Sequence, residues 1–254
     1  MYIDTHAHIY AEEFKEDRQA MLDKAWEVGV QKIYMPNVDH TSIDEMMELE
    51  LKYPQQCIPM MGLHPCYVKK DFEKELYLVE DWLNKRSFSA VGEIGIDLYW
   101  DTSFKTQQEE ALRIQLALAE KHRLPIVIHC RNSFRETMDV IKSVKSNTLT
   151  GIFHCFSGNM EEAEEVISIG FKLGIGGVVT FKNGGLDKII PSVGLEHIVL
   201  ETDSPYLAPM PYRGKRNEPS YIPIIARKVA DLKNIPVEEV EKITTENALK
   251  LFRL

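Results

Sequence analysis

The sequence predicts an α/β fold, a single (β/α)8 TIM-type barrel of parallel strands. Three observations carry that expectation. The chain has 254 residues, and a barrel of this type takes about 250. Short apolar, β-branched runs alternate with stretches of helical periodicity, which implies parallel strands joined by right-handed crossovers. There are eight such runs. An open doubly wound sheet satisfies the same periodicity, because hydrophobic spacing does not report closure.

The candidate strands are Tyr2 to Thr5, Lys32 to Pro36, Cys57 to Leu63, Ala90 to Ile94, Ile126 to Ile128, Gly151 to Phe153, Phe171 to Ile175 and Ile198 to Leu200. Between them, Ala111, Ile114, Leu116 and Leu118 precede His122 at near-helical spacing, and Met138, Ile141 and Val144 repeat the pattern. Helices over Ser220 to Leu232 and Val237 to Leu251 complete an outer layer. Pro219 and Pro236 lie at or just before their starts, where a missing amide proton costs little. No charge run, signature repeat or Gly/Ser linker marks a boundary, so residues 1–254 read as one domain. Little length remains for a separate substrate-binding domain.

Composition excludes several classes. With 44% hydrophobic and 27% charged residues, 14 Gly and 12 Pro, the chain is neither disordered nor collagenous. The start MYIDTHAHIYAEEF has no apolar segment of signal-peptide length, and no run of about 18 apolar residues occurs, so neither a secretion signal nor a membrane span is expected. Cys57, Cys66, Cys130 and Cys155 form no C-x-x-C pair and sit in apolar contexts, which argues against a disulfide framework and for a reducing cytoplasm. The formal charge of −9 speaks against indiscriminate coating of nucleic acid but not against a local cationic pocket.

Most of the apolar runs end in a residue able to bind a metal or move a proton: Asp4-Thr5-His6-Ala7-His8, Leu63-His64-Pro65, Gly92-Glu93, His129, His154 and Glu201-Thr202-Asp203. In a parallel barrel all C-terminal strand ends open on one face, so these residues converge on one mouth. His6 and His8 are spaced to share one side of an extended chain. Taken alone, an H-x-H pair is equally a structural feature, His129 a core histidine, Glu93 a buried ion pair and Asp203 an N-cap before Ser204-Pro205. Taken together, His6, His8, His129, His154, Glu93 and Asp203 are too many ligands for one tetrahedral zinc and suit two divalent ions about 3.5–4 Å apart. Glu93, on a middle strand, is the candidate bridge. Mixed N/O ligation favours zinc, manganese or cobalt over magnesium, which serves where the geometry permits. His40, His122 and His197 lie away from strand ends and read as surface or capping residues. Strand alternation turns Cys130 and Cys155 away from their neighbouring histidines into packing, with soft metal ligation as the alternative. Glu201 shares a face with Asp203, within reach of a ligand histidine.

The strings DTHAH, GLHP, GEIGID, VIHCR, FHCFSG, ETDSPYLAP and PYRGKRNEP, in this order from Tyr2 to about Phe252, resemble the TatD family of metal-dependent deoxyribonucleases, a branch of the amidohydrolase-like barrels. The resemblance implies that His6, His8, Glu93 and Asp203 hold one ion and that Glu93, His129 and His154 hold the other. It implies a role for His64 near the scissile group, in proton transfer or phosphate binding, and a phosphate contact for Arg131. Where many members read R-D-A, this chain has Arg131-Asn132-Ser133, which leaves a carboxylate contact in doubt.

The implied reaction is hydrolysis of a phosphodiester in DNA by a water activated between two metals, with Asp203 as general base. Two divalent ions bring four positive charges against the two negative ones of Glu93 and Asp203. Arg213, Lys215 and Arg216, in the loop after the eighth strand, add three more, and Arg131 a fourth. So few phosphate contacts imply a salt dependence of about two to four counterions and a short or single-stranded substrate end. Tyr99, Trp100 and Tyr206 lie near the same rim, as base-stacking surfaces or as lids. The alternative is a metallohydrolase of the same fold acting on an amide, a lactone or another small ester. A silent binding protein fits an intact ligand set poorly. No obligate protein partner is evident.

Overall fold

In the computed structural model, residues 1–144 and 148–252 are described. The first half runs β1 (Tyr2–Asp4), α1 (Arg18–Glu27), β2 (Val30–Met35), α2 (Ile43–Lys52), β3 (Cys57–Pro59), α3 (Phe72–Lys85), β4 (Val91–Asp97) and α4 (Lys105–His122). The second runs β5 (Ile126–Arg131), α5 (Phe134–Ser143), β6 (Gly151–Phe153), α6 (Met160–Ser168), β7 (Lys172–Ile175), β8 (Ile198–Leu200), α7 (Ile222–Lys233) and α8 (Val237–Phe252). Strands β1 to β3 form one parallel ladder and β4 to β8 another.

Backbone hydrogen bonds join the two ladders at both seams. Between β3 and β4, Met61 N–H donates to Ala90 O (3.2 Å) and Gly92 N–H to Met61 O (3.1 Å). Between β8 and β1, Thr5 N–H donates to Leu200 O (3.0 Å), and Ala7 bridges Ser204 in parallel. The ring is therefore a barrel of parallel strands, and the open-sheet alternative falls. Each expected strand is present, with β3 ending at Pro59 and β4 continuing to Asp97.

Alternation sorts the apolar side chains into two layers. Ile3, Tyr34, Met60, Ala90, Val127, Ile152 and Val199 form an inner cluster closed by Ala248 and Phe252 of α8, whose ring stacks on Tyr34 at 3.8 Å. Ile126, Ile128, Phe153, Leu173, Ile198 and Leu200 pack in the larger layer with the helices. Because Val127, Ile152 and Val199 point inward, the pleat turns His129, His154 and Glu201 inward too. On β4 the register slips between Val91 and Ile94, where three residues of β4 span two of β5. That bulge puts Glu93 on the inner face, which strict alternation from Ala90 denies it.

Gly95 lets β4 continue beside β5. Its φ is +146, and a Cβ there would stand 1.9 Å from His129 O. Two buried glutamines of α4 then staple the loops above: Gln115 accepts from Leu63 N–H (2.7 Å), and Gln108 accepts from Asp97 N–H (2.8 Å). The C-terminal helices follow expectation, except that Pro219–Tyr221 is a 3₁₀ turn, so α7 begins at Ile222. Among the described residues no helix is long and apolar enough to cross a membrane.

Candidate metal centre

Asp4, buried at the end of β1, fastens the two chain segments that carry one half of the centre. It accepts hydrogen bonds from His6 N–H (3.2 Å), Thr202 N–H (2.9 Å) and Thr202 Oγ1–H (2.5 Å). Asp203 N–H donates to His6 O (2.9 Å), and His8 N–H to Ser204 O (2.8 Å). His6, His8 and Asp203 are thereby brought together from opposite ends of the sequence.

Glu93 lies between two sets of imidazoles. Its Oε2 is 3.1 Å from His6 Nε2 and 3.5 Å from His8 Nε2. Its Oε1 is 2.8 Å from His129 Nδ1, 2.9 Å from His154 Nε2 and 3.3 Å from His64 Nε2. Asp203 Oδ1 is 3.8 Å from His6 Nε2 and 3.7 Å from His8 Nε2, which are themselves 3.3 Å apart. Each oxygen of one carboxylate thus faces its own group of nitrogens.

The far ring nitrogens explain which way the lone pairs point. Tyr10 donates its phenol proton to Pro36 O (2.6 Å), so it accepts from His8 Nδ1 (3.0 Å) and leaves His8 Nε2 a bare acceptor facing the centre. His129 Nε2 is 2.8 Å from Asp97 Oδ2, and His154 Nδ1 is 3.4 Å from Glu201 Oε1. His64 is built the other way. Its Nδ1 accepts from Cys66 N–H (3.1 Å), so the neutral ring carries its proton on Nε2, toward Glu93.

Burial pushes the Asp203 carboxyl up to about 7 against the pull of His154, and it brings His6 down to about 4 and His8 well below its ordinary value. At Glu93 burial also opposes ionisation, but His154, His64 and His6 outweigh it and hold the carboxyl well below the usual range. Burial disfavours the charged form of His154, yet Glu93 and Glu201 prevail and raise it well above the usual imidazole value.

This donor set fits divalent cations. Ligands 2.0–2.1 Å from a tetrahedral zinc stand about 3.3 Å from one another, and the separations around Glu93 Oε2 bracket that value at 3.1, 3.3 and 3.5 Å. Among the described residues no lysine or arginine lies within ion-pair distance of Glu93 or Asp203. Buried carboxylates without a cation of their own are what a metal site presents when its ligands are protein alone.

A family model described as TatD related DNase matches residues 3–253. The chain belongs to the TatD-related DNase family. This TatD-family chain is 37% identical to the uncharacterized metal-dependent hydrolase YabD of Bacillus subtilis, with all of both chains covered. It is 29% identical to a 3'-5' ssDNA/RNA exonuclease TatD of Pectobacterium parmentieri over 99% of each. The crystal structure of YJJV, a TatD homolog from Escherichia coli, superposes with a TM-score of 0.93 at 28% identity, covering 100% of this chain and 98% of that one. The chain is a metal-dependent hydrolase of this family.

Around the TatD-family centre the cationic side chains divide. Arg131, Arg213 and Lys215 are exposed; Arg131 lies 3.8 Å over the Tyr99 ring and Arg213 4.4 Å over Phe181. Arg216 is committed elsewhere. Its guanidinium donates to both oxygens of Asp17 (2.8 and 2.7 Å) and to Glu13 O (2.5 Å), so its charge is met by the protein and braces the loop. Cys130 packs against the strand–helix core as expected. Cys155 does not, because the chain leaves the extended conformation at this residue. It takes φ +47, and its N–H bonds Glu201. Sequence reasoning missed Tyr10 and Asp97, and it gave Asp4, although within the first strand-end string, no role of its own. The spacing of Asp97, four residues after Glu93 in GEIGID, is the one signal that pointed to it.

Proposed function

We propose that this chain hydrolyses phosphodiester bonds at short or single-stranded DNA ends, with two divalent ions held by His6, His8, Glu93 and Asp203 on one side and Glu93, His129 and His154 on the other. The observation that carries the reading is the rim: Arg131, at the C-terminal end of β5, and Arg213 and Lys215, on the loop after β8, are exposed, with no ion-pair partner among the described residues. Such a surface suits a polyanion, whereas a neutral lactone or amide is better served by an apolar one. Single-strand exonuclease naming in a relative supports the same substrate class. The chain reads as one barrel domain, and its four free cysteines suit a reducing cytoplasm.

Divalent ions held by these residues would supply Lewis acidity and a water that ionises near neutral pH. Asp203, whose Oδ1 stands 3.8 Å from His6 Nε2 and 3.7 Å from His8 Nε2, would accept the proton of the attacking water. His64 presents Nε2–H to a phosphoryl or leaving oxygen, its ring oriented by the Cys66 N–H. Asp97 orients the imidazole of His129, and Glu201 places its carboxylate 3.4 Å behind that of His154. Arg131, Arg213 and Lys215 hold phosphates.

The test is incubation of 3′-labelled and 5′-labelled single strands with metal-reconstituted protein, with and without chelator. Chelator-sensitive shortening of either strand is expected. Turnover of a neutral ester or lactone without strand cleavage would replace this reading with the small-ester alternative.

A further inference from the structure

We propose that the loop after β4 is a nucleobase platform, in which Trp100, braced by Tyr99 and Arg131, stacks on the end base of a single strand while Arg131 holds that nucleotide's phosphate. The inference rests on the phosphodiesterase reading and deepens it. Trp100 is 69% and Tyr99 52% exposed, although both are large apolar rings. The two rings meet edge to face, 4.9 Å between centroids at 88°. The Arg131 guanidinium lies 3.8 Å from the Tyr99 ring centre and 5.3 Å from that of Trp100.

This arrangement does not describe a hydrophobic lid. A lid packs its rings against apolar neighbours, whereas here the ring faces are shared with a cation that has no carboxylate partner among the described residues. A π surface beside an unpaired guanidinium matches a nucleotide, which offers a base to stack and a phosphate to bind. Asp101, the nearest acid along the loop, is occupied by Ser103 N–H (2.9 Å) and Lys69 (3.8 Å).

The platform is also referenced to the metal centre by one side chain. Asp97 Oδ1 accepts the N–H groups of Tyr99 (2.9 Å) and Trp100 (3.2 Å), while its Oδ2 faces His129 Nε2 at 2.8 Å. Arg131 leaves the same strand two residues after His129, and its carbonyl accepts from Leu98 N–H (2.9 Å). Among the exposed aromatic residues Tyr67, Tyr77, Tyr99, Trp100 and Tyr206, all but Tyr77 follow strand C-termini. The aromatic surface is thus concentrated at the mouth.

The experiment compares thymidine hexanucleotides with hexanucleotides abasic at the 3′ or the 5′ end, using the metal-loaded protein and its Trp100→Ala and Trp100→Phe variants. Loss of the ring is expected to raise KM for the thymidine strand about tenfold or more, with the loss falling on KM and not on kcat. Trp100→Phe should recover most of it, and one abasic end should erase the difference between wild type and Trp100→Ala. Chelator-treated protein gives an activity-independent readout, since hexathymidine stacking on Trp100 should quench tryptophan emission and Trp100→Phe should abolish that quench. Equal KM values for wild type and Trp100→Ala, indifference to an abasic end, or no quench would each overturn the platform. A quench in a protein that cleaves no strand would support the platform and refute the phosphodiesterase reading.

Discussion

Asp97 and Glu93 hold His129 between them: Asp97 Oδ2 lies 2.8 Å from the ring Nε2, and Glu93 Oε1 lies 2.8 Å from Nδ1. With Nε2–H donated to Asp97, the Nδ1 lone pair is fixed toward the centre. Asp97→Asn keeps an acceptor for the loop N–H groups but gives up the charge behind the imidazole. Its ion affinity should fall about 10- to 100-fold while the thermal transition of the chelated protein stays near wild type. Cobalt titration followed by visible absorption measures the first and calorimetry the second. Unaltered cobalt affinity would reduce Asp97 to a brace for the loop.

Glu201 depends on a missing side chain. A Cβ at Gly174 would stand 2.2 Å from Glu201 Oε2, whereas one at Gly176 would meet nothing nearer than 3.5 Å. Gly174→Ala should therefore cost about 1–3 kcal/mol in urea unfolding and weaken ion binding by displacing the carboxylate behind His154. Gly176→Ala should cost less than about 1 kcal/mol. Equal effects at the two positions would contradict the crowding argument.

For Asp203, whose carboxyl burial raises to about 7, the sign of the pH effect follows directly. Below about pH 7 the chelated protein carries a proton on this group, and a metal must displace it, so affinity is lost as pH falls through 7. Calorimetry in buffers of different ionisation enthalpy should show about one more proton released by wild type than by Asp203→Asn at pH 6, and no difference at pH 8.5. The same variant should lose several orders of magnitude in turnover with its fold intact; a rate near wild type would remove Asp203 from the chemistry.

Arg216 and Asp17 form a forked pair, with side chains 30% and 43% exposed. Partial exposure limits their coupling in a double-mutant cycle to about 0.2–1 kcal/mol. Arg216→Ala should leave the salt dependence of strand binding as it is, whereas replacing Arg131, Arg213 or Lys215 should each lower the log–log salt slope by about one. A wild-type slope above about eight counterions would contradict a short-end substrate.

Much of the fold was legible because it is repetitive. Val127, Ile152 and Val199 sit two residues before His129, His154 and Glu201, so one pleat period read along three strands also announces where the polar residues point. Glu93 escaped that rule. Its inward direction depends on the bulge between Val91 and Ile94, and no periodicity reports an extra residue. Arg216 and Cys155 depart from the sequence reading for a related reason: a partner 199 positions away decides one, and a left-handed backbone conformation decides the other.

By itself the sequence determined the parallel α/β architecture, the gathering of histidines and carboxylates at strand ends and the cationic loop after the last strand. These follow from local pattern, because strand period and strand direction are properties of short segments. Tertiary structure alone decided that Glu93 turns one oxygen to His6 and His8 and the other to His129 and His154, that Asp97 and Glu201 stand behind two of those rings, and that Arg216 is spent on Asp17. Each is a distance between segments far apart in the chain, set by ring closure and by glycines that admit a close approach, and residue spacing carries no measure of such distances.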